Sequence, residues 1–326
     1  MSRAGSLAGG EGLALQALPD NVYALDSAYV RPGLDAIHLI AHRGRAALVE
    51  SGTQHSVPLV MAALEQIGLA PEAVDWLLLT HIHLDHAAGA GALLQALPNA
   101  RLVVHPRGVR HMVDPSRLWA ATVAVYGEDF ARREYGELLP VEPARIVEAR
   151  DGLVIDLAGR AIEVADTPGH ARHHVCYWDG LSRGWFSGDA FGLSYRETHV
   201  GKRAFVLPAT TPSQFEPQIM QQSIDRLLAR QPACMYLTHY SRVEDVARLG
   251  ADLHRLIDAY VVLAQDVLDE KDPVRQYAAL HAKLVELVHA ESARQGWAVQ
   301  GEAAVALYAV DLALNAQGLQ GWMNQL

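Results

Sequence analysis

The stretch LLLTHIHLDHAAGAG, residues 77–91, places three histidines and an aspartate within six residues, directly after an apolar run. These are His81, His83, Asp85 and His86. Imidazoles repel one another when protonated and need polar partners when buried, so apolar core packing does not explain the run. The pattern predicts a strand, VDWLLLT, that ends in a loop opening a helix. Loops at strand ends often carry binding sites because a rigid scaffold holds them.

The spacing within this run indicates two metal ions. His81 and His83 are two residues apart on an extended segment, so they point to the same side and can share one ion. Asp85 and His86 lie beyond the turn and can face a second ion nearby. A solvated polar loop is the alternative, but it gives no reason for four metal-ligand residue types in six positions.

Three further strand ends each present one residue of a metal-binding type. His170 follows Pro-Gly in VADTPGHARHH, Asp189 follows Gly in GWFSGDAFG, and His239 ends CMYLTHYS. A lone histidine at a strand end is more often structural. Three such ends in addition to the first cluster predict a dinuclear metal site.

The motifs HIHLDH, TPGH, SGD and LTHY, in this order, resemble the metallo-β-lactamase superfamily over roughly residues 20–245. The resemblance implies an α/β fold, an αββα sandwich with the metals at one edge. The ligand division that it implies is as follows: His81, His83 and His170 on the first metal; Asp85, His86 and His239 on the second; Asp189 bridging. With Asp rather than Cys at position 189, and with both Asp85 and His86, the chain is similar to glyoxalase II-type and lactonase-type members.

Two divalent cations would neutralise the crowded cluster and fix each imidazole in its neutral form. Metals roughly 3.5–4 Å apart share a water and lower its pKa towards neutrality, so a bridging hydroxide becomes available to attack a carbonyl or phosphorus. Asp85, as a proton shuttle, and Asp189, as the bridge, are the expected catalytic residues. Nitrogen-rich ligation favours zinc, and iron or manganese also fit such a cage.

Several other residues are candidates for supporting or substrate-binding roles. His174 lies four residues after His170 and is expected behind the ligands rather than among them. Glu50 stands where relatives usually have Asp. The long loop after Asp189 is expected to overhang the site. The candidate substrate contacts are His55, Tyr195, His199 and Lys202.

The length, net charge and composition of the chain limit the class of protein. The chain has 326 residues and a formal net charge of −10. With no block of basic residues, nucleic acid is not an expected partner. Two cysteines indicate a reducing compartment. No apolar run approaches the roughly 20 residues of a membrane helix, so we expect a cytoplasmic protein that does not bind membranes and acts on a small molecule.

The chain is expected to divide into three parts. Residues 1–19 are Gly-rich and predict a flexible lead. Residues 20–245 alternate short β-rich runs with helices, which is typical of an α/β catalytic domain. Residues 246–326 are helical in period with almost no strand signal, and predict a C-terminal helical extension. Such an extension acts as a lid or as a dimer contact, so a homodimer is one expectation.

Residues 111–136 predict a helical insertion whose Trp119, Tyr126 and Phe130 are core or one wall of an apolar pocket.

The favoured function is dinuclear metal-dependent hydrolysis of an ester-like bond, in a thioester, lactone or carboxylic ester. Two alternatives stay open. One is a phosphodiesterase acting on a small phosphoester. The other is an iron-dependent oxidoreductase of the persulfide dioxygenase type. A non-enzymatic binding protein is less expected, because the full set of ligand residues is present.

Overall fold

Two β-sheets face each other at the centre of the molecule. The computed structural model describes residues 15–212 and 214–325, apart from the side chains at positions 125 and 126. The first sheet has the order β1-β2-β3-β4-β5-β6-β7. Its strands are β1 Gln16–Leu18, β2 Val22–Asp26, β3 Ala36–His42, β4 Arg45–Val49, β5 Val74–Leu78, β6 Arg101–Val104 and β7 Ile146–Glu148. The second sheet has the order β13-β12-β11-β10-β9-β8. Its strands are β8 Val154–Leu157, β9 Arg160–Asp166, β10 Val175–Asp179, β11 Gly184–Gly188, β12 Cys234–Leu237 and β13 Ser241–Val243.

Helices cover the outer face of each sheet. They are α1 Val57–Gln66, α2 Leu84–Ala87, α3 Ala90–Ala96, α4 Val109–Val113, α5 Ser116–Tyr126, α6 Glu128–Tyr135, α7 Pro217–Leu228, α8 Val246–Gln265, α9 Pro273–Gln295, α10 Gly301–Leu307 and α11 Ala309–Met323. One apolar cluster joins the facing sheets, a second joins the first sheet to α1 and α3, and a third joins the second sheet to α7–α11. This is the αββα sandwich that the resemblance implied. Among the described residues, no helix has the length and apolar character that crossing a membrane requires.

The alternation of strand-forming runs predicted most of the sheet correctly. The run VDWLLLT contains β5, and the runs that lead to His170, Asp189 and His239 contain β9, β11 and β12. The short edge strands β1 and β13 were not predicted, because three residues carry too little periodicity. The expected helix over residues 86–97 is interrupted at Gly89, and the insertion at 111–136 breaks at Gly127, whose φ is +82°.

The C-terminal helices share their core with the sandwich. Leu253, Leu284 and Leu312 of these helices belong to the same buried cluster as Phe191 and Phe205 of the body. At the other end, residues 1–14 of the expected flexible lead lie outside the described residues. Residues 16–18 form β1, so the first sheet starts before the expected boundary at residue 20.

Strand direction brings four chain segments to one edge of the sandwich. β5 is parallel to its neighbours β4 and β6, and β11 is parallel to β12. β9 and β11 both run antiparallel to β10, so they share a direction. The loops that follow β5, β9, β11 and β12, together with the short helix α2 directly after the first of these loops, carry all seven of the expected metal ligands.

Candidate dinuclear metal centre

Three histidines form the first group of the cluster. His81 Nε2 lies 2.7 Å from His83 Nδ1, and His170 Nε2 lies 3.2 Å from the same Nδ1. His81 and His170 are buried, and His83 is partly exposed to the cavity described below. Three ring nitrogens that converge in this way form one face of a metal site.

A second group forms beside the first. Asp85 Oδ2 lies 3.5 Å from His86 Nε2 and 3.7 Å from His239 Nε2. Ligand atoms of these three residues all lie within 4.8 Å of one another, as do those of His81, His83 and His170. The structure therefore brings together the residues that the resemblance divided between two metals.

Asp189 lies between the two groups. Its Oδ2 is 3.3 Å from His170 Nε2 in the first group. Its Oδ1 is 3.3 Å from His86 Nε2 and 3.4 Å from His239 Nε2 in the second. Each carboxylate oxygen thus faces one group, which is the arrangement that a bridging ligand requires.

Two of the donor atoms are buried and lack a hydrogen-bond partner among the described residues, as expected of atoms that bind cations. Within the described part of the chain, His86 Nε2 and Asp189 Oδ1 are buried and make no hydrogen bond. Buried polar atoms without a partner cost free energy, and such atoms in native proteins generally have a functional reason. A divalent cation between the two atoms would supply that partner.

Each of four imidazoles is held from the side opposite the cluster. His81 Nδ1 lies 3.1 Å from Thr80 Oγ1, and His170 Nδ1 lies 3.0 Å from the carbonyl oxygen of Ala209. His86 Nδ1 lies 3.0 Å from Glu50 Oε1. For His239, the holding group is Asp35, whose Oδ1 is 2.7 Å from Nδ1. Such outer contacts fix the ring and the tautomer of a metal-binding histidine.

Glu50 links two of the chain segments that carry expected ligands, the one after β5 and the one after β12. Its carboxylate accepts hydrogen bonds from the Thr80 backbone and hydroxyl, at 3.2 and 2.5 Å, and from the Thr238 hydroxyl, at 3.2 Å. The same carboxylate contacts His86. The extra methylene relative to Asp does not prevent these loop hydrogen bonds.

His174 lies behind the ligands. Its Nδ1 is 2.9 Å from the Thr167 hydroxyl, and its Nε2 accepts a hydrogen bond from the Asp189 backbone N–H at 3.3 Å. Gly188 packs against the same ring with φ +47°, and a Cβ at this position would collide with Thr80 Oγ1 and His174 Nε2. The residue before Asp189 therefore has to be glycine.

The pKa values of the cluster show how charge is distributed. Burial lowers the pKa of His81 and of His83 well below the usual value, and the neighbouring imidazoles lower it further. Burial also acts to lower the pKa of His86 and of His239, but carboxylates outweigh it and raise both pKa values well above the usual range. The carboxylates therefore attract positive charge to the second group, and bound cations would satisfy the same demand.

A cavity of about 210 Å³ opens above the cluster. Its floor includes His83, Asp85, His170, Asp189 and His239. Its walls come from the segment around Tyr29, from the 111–136 insertion, from the loop after Asp189 and from α11. The C-terminal extension thus contributes directly to the site. The insertion contributes Leu118, Thr122 and Tyr135, whereas its Trp119 and Phe130 do not line the cavity and pack against a small buried cluster around Tyr135.

The four predicted substrate contacts do not line this cavity. The His55 ring is exposed and bonds to the carbonyl oxygen of Arg133, and Lys202 is exposed on the loop surface. His199 Nε2 contacts the Ser194 hydroxyl. Tyr195 is buried beneath α11 and donates to Asp311. The error arose because the long loop folds inward through Leu193 and residues 209–212, and not through its charged tip.

Four cavity or support residues had no signal in the sequence. They are Asp35, Tyr29, Tyr135 and Asp311. Tyr29 and Tyr135 stack with ring centroids 5.5 Å apart, and their hydroxyls are 2.8 Å apart. The members of this set come from distant segments without a shared motif, so only the packed fold brings them to the site.

Comparison with known proteins places this site in a family context. A family model described as the metallo-β-lactamase superfamily matches residues 31–239. A hydroxyacylglutathione hydrolase from Acidiphilium cryptum is 29% identical over 212 residues, covering 65% of this chain and 66% of that protein. One from Aeromonas hydrophila is 29% identical over 143 residues, covering 44% of this chain and 41% of that protein. The chain thus spans less than two thirds of the length of either relative.

Two solved structures share the fold over nearly the whole chain. The protein TTHA1429 from Thermus thermophilus has a TM-score of 0.63 at 20% identity, covering 94% of both chains. The protein ST1585 from Sulfolobus tokodaii has a TM-score of 0.60 at 17% identity, covering 92% of this chain and 98% of that one. At these identities the similarity supports the fold alone.

Proposed function

The chain belongs to the metallo-β-lactamase superfamily, and we propose that it is a dinuclear metal-dependent hydrolase of an ester-like bond in a thioester, lactone or carboxylic ester. The observation that carries the proposal is the position of Asp189, with one carboxylate oxygen towards each of two groups of ligand-type side chains. A bridging carboxylate has a use only where two cations are held side by side.

We propose seven metal ligands: His81, His83, His170, Asp85, His86, His239 and Asp189. The five imidazoles favour zinc, and iron or manganese are compatible with the same donors. When bound, two such cations supply a nucleophilic hydroxide at neutral pH and polarise the carbonyl oxygen of the substrate. The side chains of the protein carry out proton transfer and orient the substrate.

Asp85 is the proposed proton carrier. It is the partly exposed carboxylate of the cluster, with 23% of its side chain accessible, and it lines the cavity floor. A carboxylate in that position reaches both the cluster and a bound substrate, so it can hold the proton that the leaving group takes up. Asp189 is buried, which suits a bridge better than a proton carrier.

The walls of the cavity orient the substrate and exclude water. Leu84, Leu118 and Leu193 are apolar, and they hold an acyl chain away from solvent. Tyr29 and Tyr135, whose hydroxyls are 2.8 Å apart, line the same cavity and are neutral hydrogen-bond donors for a substrate oxygen. The two free, buried cysteines, Cys176 and Cys234, support the expected cytoplasmic location.

The relatives named hydroxyacylglutathione hydrolase support the thioester class within this proposal. They do not extend it to glutathione, since no lysine or arginine among the described residues lines the cavity. A homodimer formed through the C-terminal helices, and the division of the chain at residue 245, stay predictions.

The test is turnover by protein of measured metal content. A panel of thioesters, lactones, carboxylic esters and phosphodiesters should show hydrolysis of at least one ester-like class. His83→Ala should reduce it at least about 100-fold while leaving the circular dichroism spectrum unchanged, because it removes a ligand. His42→Ala, a histidine at the end of β3 outside the cluster, is the control. Undiminished turnover in His83→Ala, or turnover of phosphodiesters alone, contradicts the proposal.

A further inference from the structure

One carboxylate in the cavity wall plays no part in the metal cluster. Asp311 lies in the first turn of α11 and lines the cavity together with Val310 and Leu314. Its two oxygens each lie 3.1 Å from the hydroxyl of Tyr195. A single hydroxyl therefore serves both oxygens, and much of the hydrogen-bonding capacity of the carboxylate is left for a ligand.

No cation of the described chain pairs with Asp311. Arg31 acts on the carboxyl of Asp311 only at a distance and slightly lowers its pKa, because its guanidinium lies over the Tyr195 ring at 4.5 Å and forms an ion pair with Glu197 at 3.0 Å. Asp311 is half-buried, and shielding a carboxylate from water without a positive partner costs free energy. That free-energy cost indicates that the Asp311 carboxylate has a functional role.

The remaining walls provide no positive charge either. The described lining residues include the three carboxylates Asp85, Asp189 and Asp311, but no lysine or arginine. The first two belong to the proposed metal centre, where cations balance them. Asp311 is the lining carboxylate that lies outside that centre and forms no ion pair with a lysine or arginine of the described residues.

The ionisation of Asp311 agrees with this geometry. Burial raises the pKa of its carboxyl to about 7, more than the nearby His239 and the hydrogen bond from Tyr195 lower it. A positively charged ligand beside the carboxyl would favour the ionised form.

We propose that the α11 side of the cavity binds a protonated amine of the substrate, with Asp311 as its counter-ion. Asp311 is then a specificity-determining residue, and the substrate class is an ester-like compound with an ammonium group separated from the scissile carbonyl by a short apolar chain. Apolar side chains that line the same cavity, such as Leu193 and Leu314, match that chain. The reaction named here rests on the proposed function, but the amine subsite does not.

The volume of the cavity further limits which substrates can bind. A volume of about 210 Å³ is below the 300–1,000 Å³ typical of sites for drug-sized ligands. The enclosed part of the substrate is therefore small. A leaving group that carries carboxylates would meet Asp311 with no basic side chain to offset the repulsion.

Binding of stable analogues tests the subsite without relying on turnover. Calorimetry on zinc-loaded protein would compare ω-amino amides of four to eight carbons with isosteric alkyl amides, in which a methyl group replaces the ammonium. Hydroxyl-terminated and carboxyl-terminated amides complete the set. We expect the ammonium ligand of the best chain length to bind at least about 10-fold more tightly than its methyl isostere, and the carboxylate ligand to bind most weakly.

Asp311→Asn should remove the preference for ammonium while leaving the affinity for the methyl isostere unchanged. Asp269→Asn, at an exposed position in the turn that follows α8, is the matched control, and thermal unfolding checks that both variants fold. Equal affinities for ammonium and methyl ligands at every length overturn the proposal. So does a preference that survives Asp311→Asn, or a hydroxyl ligand that binds as tightly as the ammonium ligand.

This design separates the two proposals. If the ammonium preference depends on Asp311 but no ester is hydrolysed, the subsite stands and the hydrolase proposal fails. If esters are hydrolysed without any such preference, the hydrolase proposal stands and the subsite fails.

Discussion

At the scale of single residues, Asp35 shows how a side chain outside the cluster controls one inside it. Its carboxylate is buried and holds His239 by the ring nitrogen that faces away from the cluster. Burial raises the pKa of Asp35 to about 6, although His239 acts to lower it. The contact sets the direction of the other nitrogen of His239, which points to Asp85 and Asp189.

Asp35→Asn should weaken the second metal site. An amide keeps the size of the side chain but lacks the charge that orients the imidazole and makes it a better ligand. We expect metal affinity to fall about 10–100-fold at one of two sites, measured by competition with a chromophoric chelator. Asp129→Asn, on the exposed face of α6, should have no effect. An unchanged affinity in Asp35→Asn contradicts the orienting role.

Single residues also show where prediction from the sequence succeeds and where it does not. The sequence alone identifies His81, His83, Asp85 and His86 as candidate ligands, because four residues of metal-binding types in six positions have no ordinary packing explanation. Asp311 does not, because an aspartate in the first turn of a helix is common on protein surfaces. Only the packing of α11 onto the sandwich makes that carboxylate part of a cavity wall.

At the scale of elements, the site is built from strand ends that share one edge. The alternation of apolar runs and turn residues predicted β5, β9 and β11 with their ligands at the carboxyl ends. The path of the long loop after β11 could not be predicted in this way, because loops lack periodicity. Its charged tip was expected over the site, whereas Leu193 and Ala209 line the cavity instead.

Gly188→Ala should disrupt the junction between β11 and the bridging aspartate. The backbone there has φ +47°, and the added methyl group would collide with Thr80 and His174. We expect a loss of about 2 kcal/mol or more in the free energy of unfolding, together with weaker metal binding. Gly180→Ala is the matched control, since its nearest neighbour to a new Cβ is Trp178 Nε1 at 3.8 Å. Equal unfolding midpoints for the two variants would argue against this role for Gly188.

At the scale of the whole molecule, ion pairs of two buried carboxylates connect neighbouring elements of the fold. Asp179 of β10 accepts hydrogen bonds from Arg160 of β9 at 2.9 and 2.5 Å, and both residues are buried. In the extension, Glu291 of α9 contacts Arg255 of α8 and Arg294. Burial acts to raise the pKa of both carboxyls, but these hydrogen bonds outweigh it and lower both pKa values.

Stability should therefore fall in acid. A carboxyl whose pKa is lower in the folded state stabilises the fold fully above its unfolded pKa of about 4, and that contribution is lost as the pH falls further. Urea unfolding from pH 6 to pH 3 should show this decline. Asp179→Asn should be about 3 kcal/mol less stable at pH 6 and should decline less steeply. A slope identical to that of the unchanged protein contradicts the assignment.

The structure of the whole molecule also shows that the two parts of the chain are less separate than the change of sequence pattern suggests. The change from mixed to purely helical periodicity near residue 245 is real, since α8–α11 follow one another without a strand. Yet Leu253 and Leu312 share one buried cluster with Phe191 and Phe205. Periodicity identifies the elements, but only the packing shows that the extension completes the second sheet's core and the cavity.

The most direct test of the central claim is a metal titration of chelator-stripped protein, followed by calorimetry and elemental analysis. The account predicts two zinc ions per chain, and a loss of tight binding at both sites in Asp189→Ala, because that carboxylate faces both groups. A single ion per chain, unchanged binding in Asp189→Ala, or no uptake of zinc, iron or manganese would contradict it.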